Sequence, residues 1–265
     1  MSHTDRLPAF CLVIAALLSL LLPASVSAQA APAPPRFGIA DNSFLVEEAF
    51  NQERGIFQNI FVFTRSKGGG FEAAFTQEWP LTTQRHQLSY TLSGAIVDGA
   101  GMLGDVLVNY RLQVATEVGH PAFSPRLSVI LPAGAERRAL GRRGVGWQVN
   151  LPFSKRAGAA YFHWNAGATF TRGTDTGAWE QSTYAAGSII VAVRRMFHVM
   201  FESVVASDDE DARRTRTVTV VPGFRTGWNL GEKQIVVGAG VPVTRGGRHD
   251  VAGLIYFSYE LPFRK

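Results

Sequence analysis

Along most of the chain, apolar and polar residues alternate with the period of a β-strand. Leu88, Tyr90, Leu92, Gly94 and Ile96 oppose Gln87, Ser89, Thr91, Ser93 and Ala95. Val106, Val108, Tyr110, Leu112 and Val114 oppose Asp105, Asn109, Arg111 and Gln113. Successive side chains of a strand point to opposite faces, so each segment offers one apolar and one polar face. The last of them, Val251 to Phe263, sets Val251, Ile255, Phe257, Tyr259, Leu261 and Phe263 against Ala252, Leu254, Tyr256, Ser258 and Glu260. The same reading covers Gly55–Thr64, Phe71–Trp79, Phe123–Leu131, Val145–Phe153, Ala160–Phe170, Thr183–Val193, Phe197–Val205, Thr217–Arg225 and Ile235–Val243. Together these predict about twelve strands of about ten residues, the length that crosses a bilayer tilted, and an even number as single-chain bacterial barrels have. The first and eighth are apolar on both faces.

The N-terminus breaks this pattern. Arg6, the apolar run Phe10–Leu22 and the small residues Ser25-Val26-Ser27-Ala28-Gln29-Ala30 have the form of a secretory signal cleaved after Ala28 or Ala30. A retained anchor helix is the alternative. Cys11, the only cysteine, lies within that run, so the remainder forms no disulfide. No later stretch reaches 18 consecutive apolar residues, which excludes a membrane-crossing helix there. Export and a net charge of +5, with no basic stripe interleaved with aromatics, argue against nucleic-acid binding. Ala31–Arg36 reads as a Pro/Ala-rich linker. Asp41–Arg54 does not alternate; Asp41, Asn42 or Ser43 would cap a short helix, with Glu47 and Glu48 near its positive end. The expected division is a signal at 1–28, a periplasmic linker with a short helix or plug at 29–54, and a barrel at 55–265.

Parity offers a second test. With the N-terminus periplasmic, the connections after even strands are mostly tight, whereas Gly134–Gly144, Gly173–Ser182 and Ser207–Arg214 form longer outward loops. Short periplasmic turns and longer extracellular loops mark outer-membrane barrels. A secreted β-sandwich would explain the strands but not this asymmetry. Trp79, Phe153 and Trp228 fall at periplasmic ends and Trp147 and Phe170 near outer ends, where amphipathic rings sit at headgroup level. The expected fold is therefore all-β, a transmembrane antiparallel barrel of about twelve strands. Its closing strand ends on a near-terminal aromatic, Phe263, of the kind that directs barrel insertion, though Arg264 and Lys265 follow it.

The segment DNSFLVEEAFNQERGIFQNI, Asp41–Ile60, resembles the start of a family of outer-membrane barrels labelled the MetA pathway of phenol degradation. The match lies at Asn42-Ser43-Phe44-Leu45, Glu47 through Glu53, and Gly55 with Gln58; Gly104-Asp105-Val106 leading into Asn109-Tyr110-Arg111 is similar to a second family element. The resemblance implies an outer-membrane barrel that passes hydrophobic or aromatic compounds.

Covalent chemistry finds little support. Barrel deacylases and phospholipases place a serine two residues after a histidine, on one face of a strand. Here His86, His120, His163, His198 and His249 are followed at that spacing by Leu88, Ala122, Asn165, Met200 and Val251. No catalytic residue, metal site or cofactor is expected, and a serine–histidine dyad from separate strands is the remaining enzymatic route. Alternation turns Tyr161, His163, Asn165, His198, Glu202, Arg111 and Arg126 into the lumen, either to contact a passing solute or as hydrogen-bonded filling. Phe44, Glu47, Glu48 and Phe50 are candidates for a plug, the two glutamates meeting lumen arginines. Arg137, Arg138, Arg142 and Arg143 form an outer cluster that would grip lipopolysaccharide phosphates or simply be solvated. Asp208-Asp209-Glu210-Asp211 with Arg213-Arg214 reads as a charged loop or a surface divalent-ion site. The expected role is passive diffusion of small, hydrophobic or aromatic solutes. A barrel with a blocked lumen that contacts lipopolysaccharide or a partner is the alternative, and a lipid-modifying enzyme a weaker one.

Overall fold

A computed structural model describes residues 38–39, 42–97, 99–133, 143–173, 177–210, 213–247 and 249–263. The signal at 1–28, the linker to 37, Asp41 and Arg137, Arg138 and Arg142 fall outside these residues, and Arg143 is described only as the first residue of a strand.

The strands are β1 (Ile56–Ser66), β2 (Phe71–Pro80), β3 (His86–Val97), β4 (Ala100–Leu112), β5 (Ala122–Phe123), β6 (Arg126–Leu131) and β7 (Arg143–Ala157). They continue as β8 (Ala160–Gly173), β9 (Trp179–Arg194), β10 (Phe197–Glu210), β11 (Arg213–Leu230), β12 (Lys233–Gly240), β13 (Val243–Gly246) and β14 (Asp250–Pro262). β1 pairs antiparallel with β14, from Ile56 opposite Pro262 to Ser66 opposite Ala252, and this seam closes the sheet into a barrel. β5 and β6 both pair with β7 and are two parts of one wall strand, parted at Ser124-Pro125. β12 and β13 both pair with β11 and β14 and part at Val241-Pro242. Proline has no N–H to give the ladder, so each break falls at one. Counted this way the wall has twelve strands, each over one of the alternating segments of the sequence.

The two faces are inverted relative to a water-soluble domain. Gln58, Glu78, Gln87, Asn109, Arg111, Arg126, Asn150, Asn165, Glu202 and Arg225 are buried inside. Leu92, Leu127, Ile189, Phe201, Phe224 and Ile255 are exposed on the outside, as a hydrocarbon surround requires. Aromatic rings band the end where β1 begins and β14 ends. Phe57 stacks on Phe263 at 4.2 Å and Phe153 on Phe123 at 4.5 Å, while Trp164 and Trp228 stand exposed.

Two expectations need correction. No helix forms in the described part of 42–54; the chain there is an irregular run of bends. Its amides are claimed by side chains of the wall, which removes the incentive to pair them within a helix. The outward loop expected over Ser207–Arg214 is also shorter than the sequence implied, because β10 runs to Glu210 and β11 begins at Arg213. Asp209 opposes Arg214 in the ladder, with Arg214 Nε 3.6 Å from an Asp209 carboxylate oxygen. A strand that projects beyond the bilayer can carry charge on both faces, so polarity does not mark its end.

Candidate functional site

Irregular backbone is tolerated inside a membrane barrel only if its polar groups find partners there. Residues 38–39 and 42–52 run through the half of the lumen where β1 begins and β14 ends, and the wall supplies those partners. Glu202 on β10 accepts from three successive amides, those of Phe44 (2.8 Å), Leu45 (2.7 Å) and Val46 (3.1 Å). Asn165 on β8 behaves like a strand neighbour: Oδ1 accepts from Glu47 N and Nδ2 donates to Glu47 O, both at 2.8 Å. Ser154 Oγ accepts from Ala49 N at 2.7 Å, Gln113 Oε1 from Asn51 N at 3.2 Å and Gln87 Oε1 from Gln52 N at 2.6 Å. Carbonyls are met as well: Gln234 donates to Gly38 O, Arg225 to Asn42 O, Gln113 and Ser124 to Ala49 O, and Arg111 to Phe50 O.

Charge pairing is concentrated on one side chain of the segment. Glu47 lies 3.0 Å from Arg111 Nη2 and 2.6 Å from Arg126 Nη2. Arg126 is itself fixed by Asn109 at 2.7 Å, Gln148 at 2.8 Å and the Ser128 hydroxyl. Burial alone would push the Glu47 carboxyl up; the Arg126 and Arg111 guanidinium groups outweigh it and hold it below the usual carboxylate range. Glu78 sits 3.9 Å from Arg111, so that cation is shared by two carboxylates. Glu48 has its amide 3.3 Å from Asn42 Oδ1.

Apolar contact anchors the other part of the segment. Ile39 and Phe44 pack in a cluster with Ile60, Tyr161, Ile190, Met200, Val221, Val236, Leu254 and Tyr256, and Phe50 lies against it. Ile60 and Ile190 are the inward residues of the two strands that read as apolar on both faces. The Phe44 ring is 5.6 Å from that of Tyr256. Removing a phenyl ring from water contributes about 2–3 kcal/mol.

Beyond the segment, toward the other end of the barrel, inward positions such as Glu72, Thr76, Thr91, Asp105, Gln148, Thr217 and Thr219 remain partly or fully exposed. The lumen is thus a solvent-reached vestibule above an occupied waist.

No protein-family model matches the sequence, and no curated protein does. Solved structures match the barrel. The COG4313 outer membrane channel from Pseudomonas putida F1 superposes with a TM-score of 0.62 over 80% of this chain and 98% of that one, at 11% identity. The fold is that of a bacterial outer-membrane barrel. The NanC porin matches with a TM-score of 0.56 over 77% of this chain and 100% of its own, at 11% identity. The KdgM porin gives 0.54 over 76% and 98%, at 10% identity. At such identities the likeness is one of architecture.

The residues that alternation turned inward are all buried, but they face the segment or one another. Tyr161 belongs to the apolar cluster and lies under Arg156, whose Cζ is 4.7 Å from the ring centre. His198 Nε2 is 3.3 Å from Arg195 O, and Arg225 Nε donates to His198 Nδ1 at 3.4 Å. His163 Nδ1 is 2.7 Å from Ser154 Oγ. This serine–histidine contact joins neighbouring strands, the arrangement a His-x-Ser search cannot find. Ser154 is fully buried and its hydroxyl accepts from Ala49 N, so the pair serves as an anchor of the segment in this arrangement. Sequence reasoning also missed Gln87, Gln113, Ser124, Ser188 and Gln234 as partners of the segment. Their signal, a polar side chain at an inward position, is shared by most of the barrel interior.

Proposed function

We propose that the chain is an outer-membrane channel for passive diffusion of small, hydrophobic or aromatic solutes, with its waist narrowed by residues 38–52. The supporting observation is the division of the lumen: a vestibule reached by solvent meets a waist filled by an irregular segment that is held to the wall by noncovalent contacts and joined covalently only through its chain connection to β1. A barrel built only for rigidity would fill its interior with wall side chains; a separable segment leaves a path when it moves. The motif resemblance to the MetA-pathway barrels supports the solute class. In this reading Arg111, Arg126, Tyr161, His163, Asn165, His198 and Glu202 contact solute only as Phe44, Glu47, Glu48 and Phe50 shift. The arginines at 137, 138, 142 and 143 then meet lipopolysaccharide phosphates, and the β14 strand is the insertion signal.

The number of bonds holding the segment favours one other reading, a permanently blocked barrel. Planar-bilayer conductance beside liposome uptake of phenol and of a sugar separates the two. Discrete current steps with faster phenol entry support the channel. A silent bilayer, with inserted and heat-modifiable protein and no solute entry, would leave the blocked barrel.

A further inference from the structure

The Phe44 ring lies on a floor made of three inward glycines. A Cβ built at Gly223 on β11 would stand 2.6 Å from Phe44 Cε2. One at Gly238 on β12 would stand 2.6 Å from Cε1 and 2.8 Å from Cζ, and one at Gly240 3.1 Å from Cε2. No carbon–carbon contact of that kind is tolerated, so any side chain at Gly223 or Gly238 would evict the ring. Glycine weakens a strand interior, and three around one ring mark a close approach that the wall is shaped to allow. Val221, Leu254 and Tyr256, all almost fully buried, complete the apolar sides. The three glycines let a planar ring lie close against the wall, whereas a saturated ring of similar hydrophobicity is thicker and would meet that floor.

We infer that this glycine-floored pocket is a binding site for a monocyclic aromatic solute, which competes with Phe44 for it and so loosens residues 38–52. The inference rests on the aromatic-solute reading above and names the site behind it. Phe44 carries both anchors at once, its ring in the pocket and its amide on Glu202. A free ring in the pocket therefore removes the side-chain anchor next to the three amides that Glu202 holds. A ligand shifts such an equilibrium by its differential affinity for the two states, and here it binds only when Phe44 is out.

The test uses Val46→Cys in a Cys11→Ser background, since Val46 is buried beside Phe44 and the chain has no other thiol. The rate of thiol labelling then reports exposure of the segment, independently of any current. Toluene at ten times its Kd for the Phe44-out state, measured on Phe44→Ala, should speed labelling about tenfold, as mass action requires, while methylcyclohexane leaves it unchanged. With Phe44→Ala added, labelling should be fast already and indifferent to toluene. Gly238→Val should fill the floor, and its folding is checked by heat modifiability; the toluene and methylcyclohexane comparison needs no such variant. Equal acceleration by both hydrocarbons, or none by toluene, would overturn the pocket. Toluene-dependent labelling in a protein that never conducts would keep the pocket and sink the transport reading. A conducting pore whose labelling ignores toluene would do the reverse.

Discussion

The front of the lumenal segment, residues 38–46, and its back, residues 47–52, are held by different physics. The front is anchored by burial of Ile39, Phe44 and Val46 and by one carboxylate that gathers three amides. The back is anchored by Glu47 between Arg111 and Arg126 and by amide side chains that imitate a strand neighbour. Burial is non-directional, whereas a charge pair fixes register and loosens when either charge is lost. The back therefore sets where the segment sits, and the front makes it responsive to apolar molecules.

Phe44→Ala should break the front most severely. Losing a fully packed phenyl ring costs about 3–5 kcal/mol, read as a fall of two to three orders of magnitude in the hydrogen-exchange protection of the amides of residues 44–46, with those of 47–52 less affected. Arg126→Ala should damage the back by roughly 3 kcal/mol, the lower end for a buried pair because Glu47 keeps a quarter of its surface exposed. The loss should appear first at the amides of residues 47 and 49. If both variants loosen front and back equally, the two parts are one cooperative unit and the distinction fails.

Acid should act on the back through Glu47. The folded-state carboxyl of Glu47 titrates below its unfolded value, so its contribution is fully present above that unfolded value, about 4.3. It disappears as pH falls through the lower folded value. The part of any conductance rise that falls beneath the ordinary carboxylate range belongs to Glu47, and Glu47→Gln should remove that step. The smallest effect is expected at Gln234→Ala, which removes one bond of 2.7 Å to Gly38 O and should cost about 1 kcal/mol. Trypsin cleavage near Arg36 would report it, with fraying confined to the first residues of the segment.

Alternation made the wall legible, because an inward-polar, outward-apolar strand writes its period directly into the sequence. The strand ends were not legible where β10 and β11 include Asp208, Asp209, Glu210, Arg213 and Arg214, since a run of charged residues shows no alternation with apolar ones. The segment was legible as non-alternating and as carrying Glu47 and Phe44, but its lack of helix was not. Whether Phe44, Leu45 and Val46 cap themselves or bond Glu202 depends on a residue more than 150 positions away. The glycine floor was hidden for the same reason: Gly223, Gly238 and Gly240 read as ordinary strand glycines until the Phe44 ring is placed on them.

If the lumenal segment sets the width of an otherwise continuous lumen, deletion of residues 37–53 shows it most directly. Single-channel conductance of the truncated barrel should exceed that of the full chain several-fold, with β1 to β14 still closed and heat-modifiable. A truncated barrel that folds, inserts and conducts no more than the full chain would contradict the account.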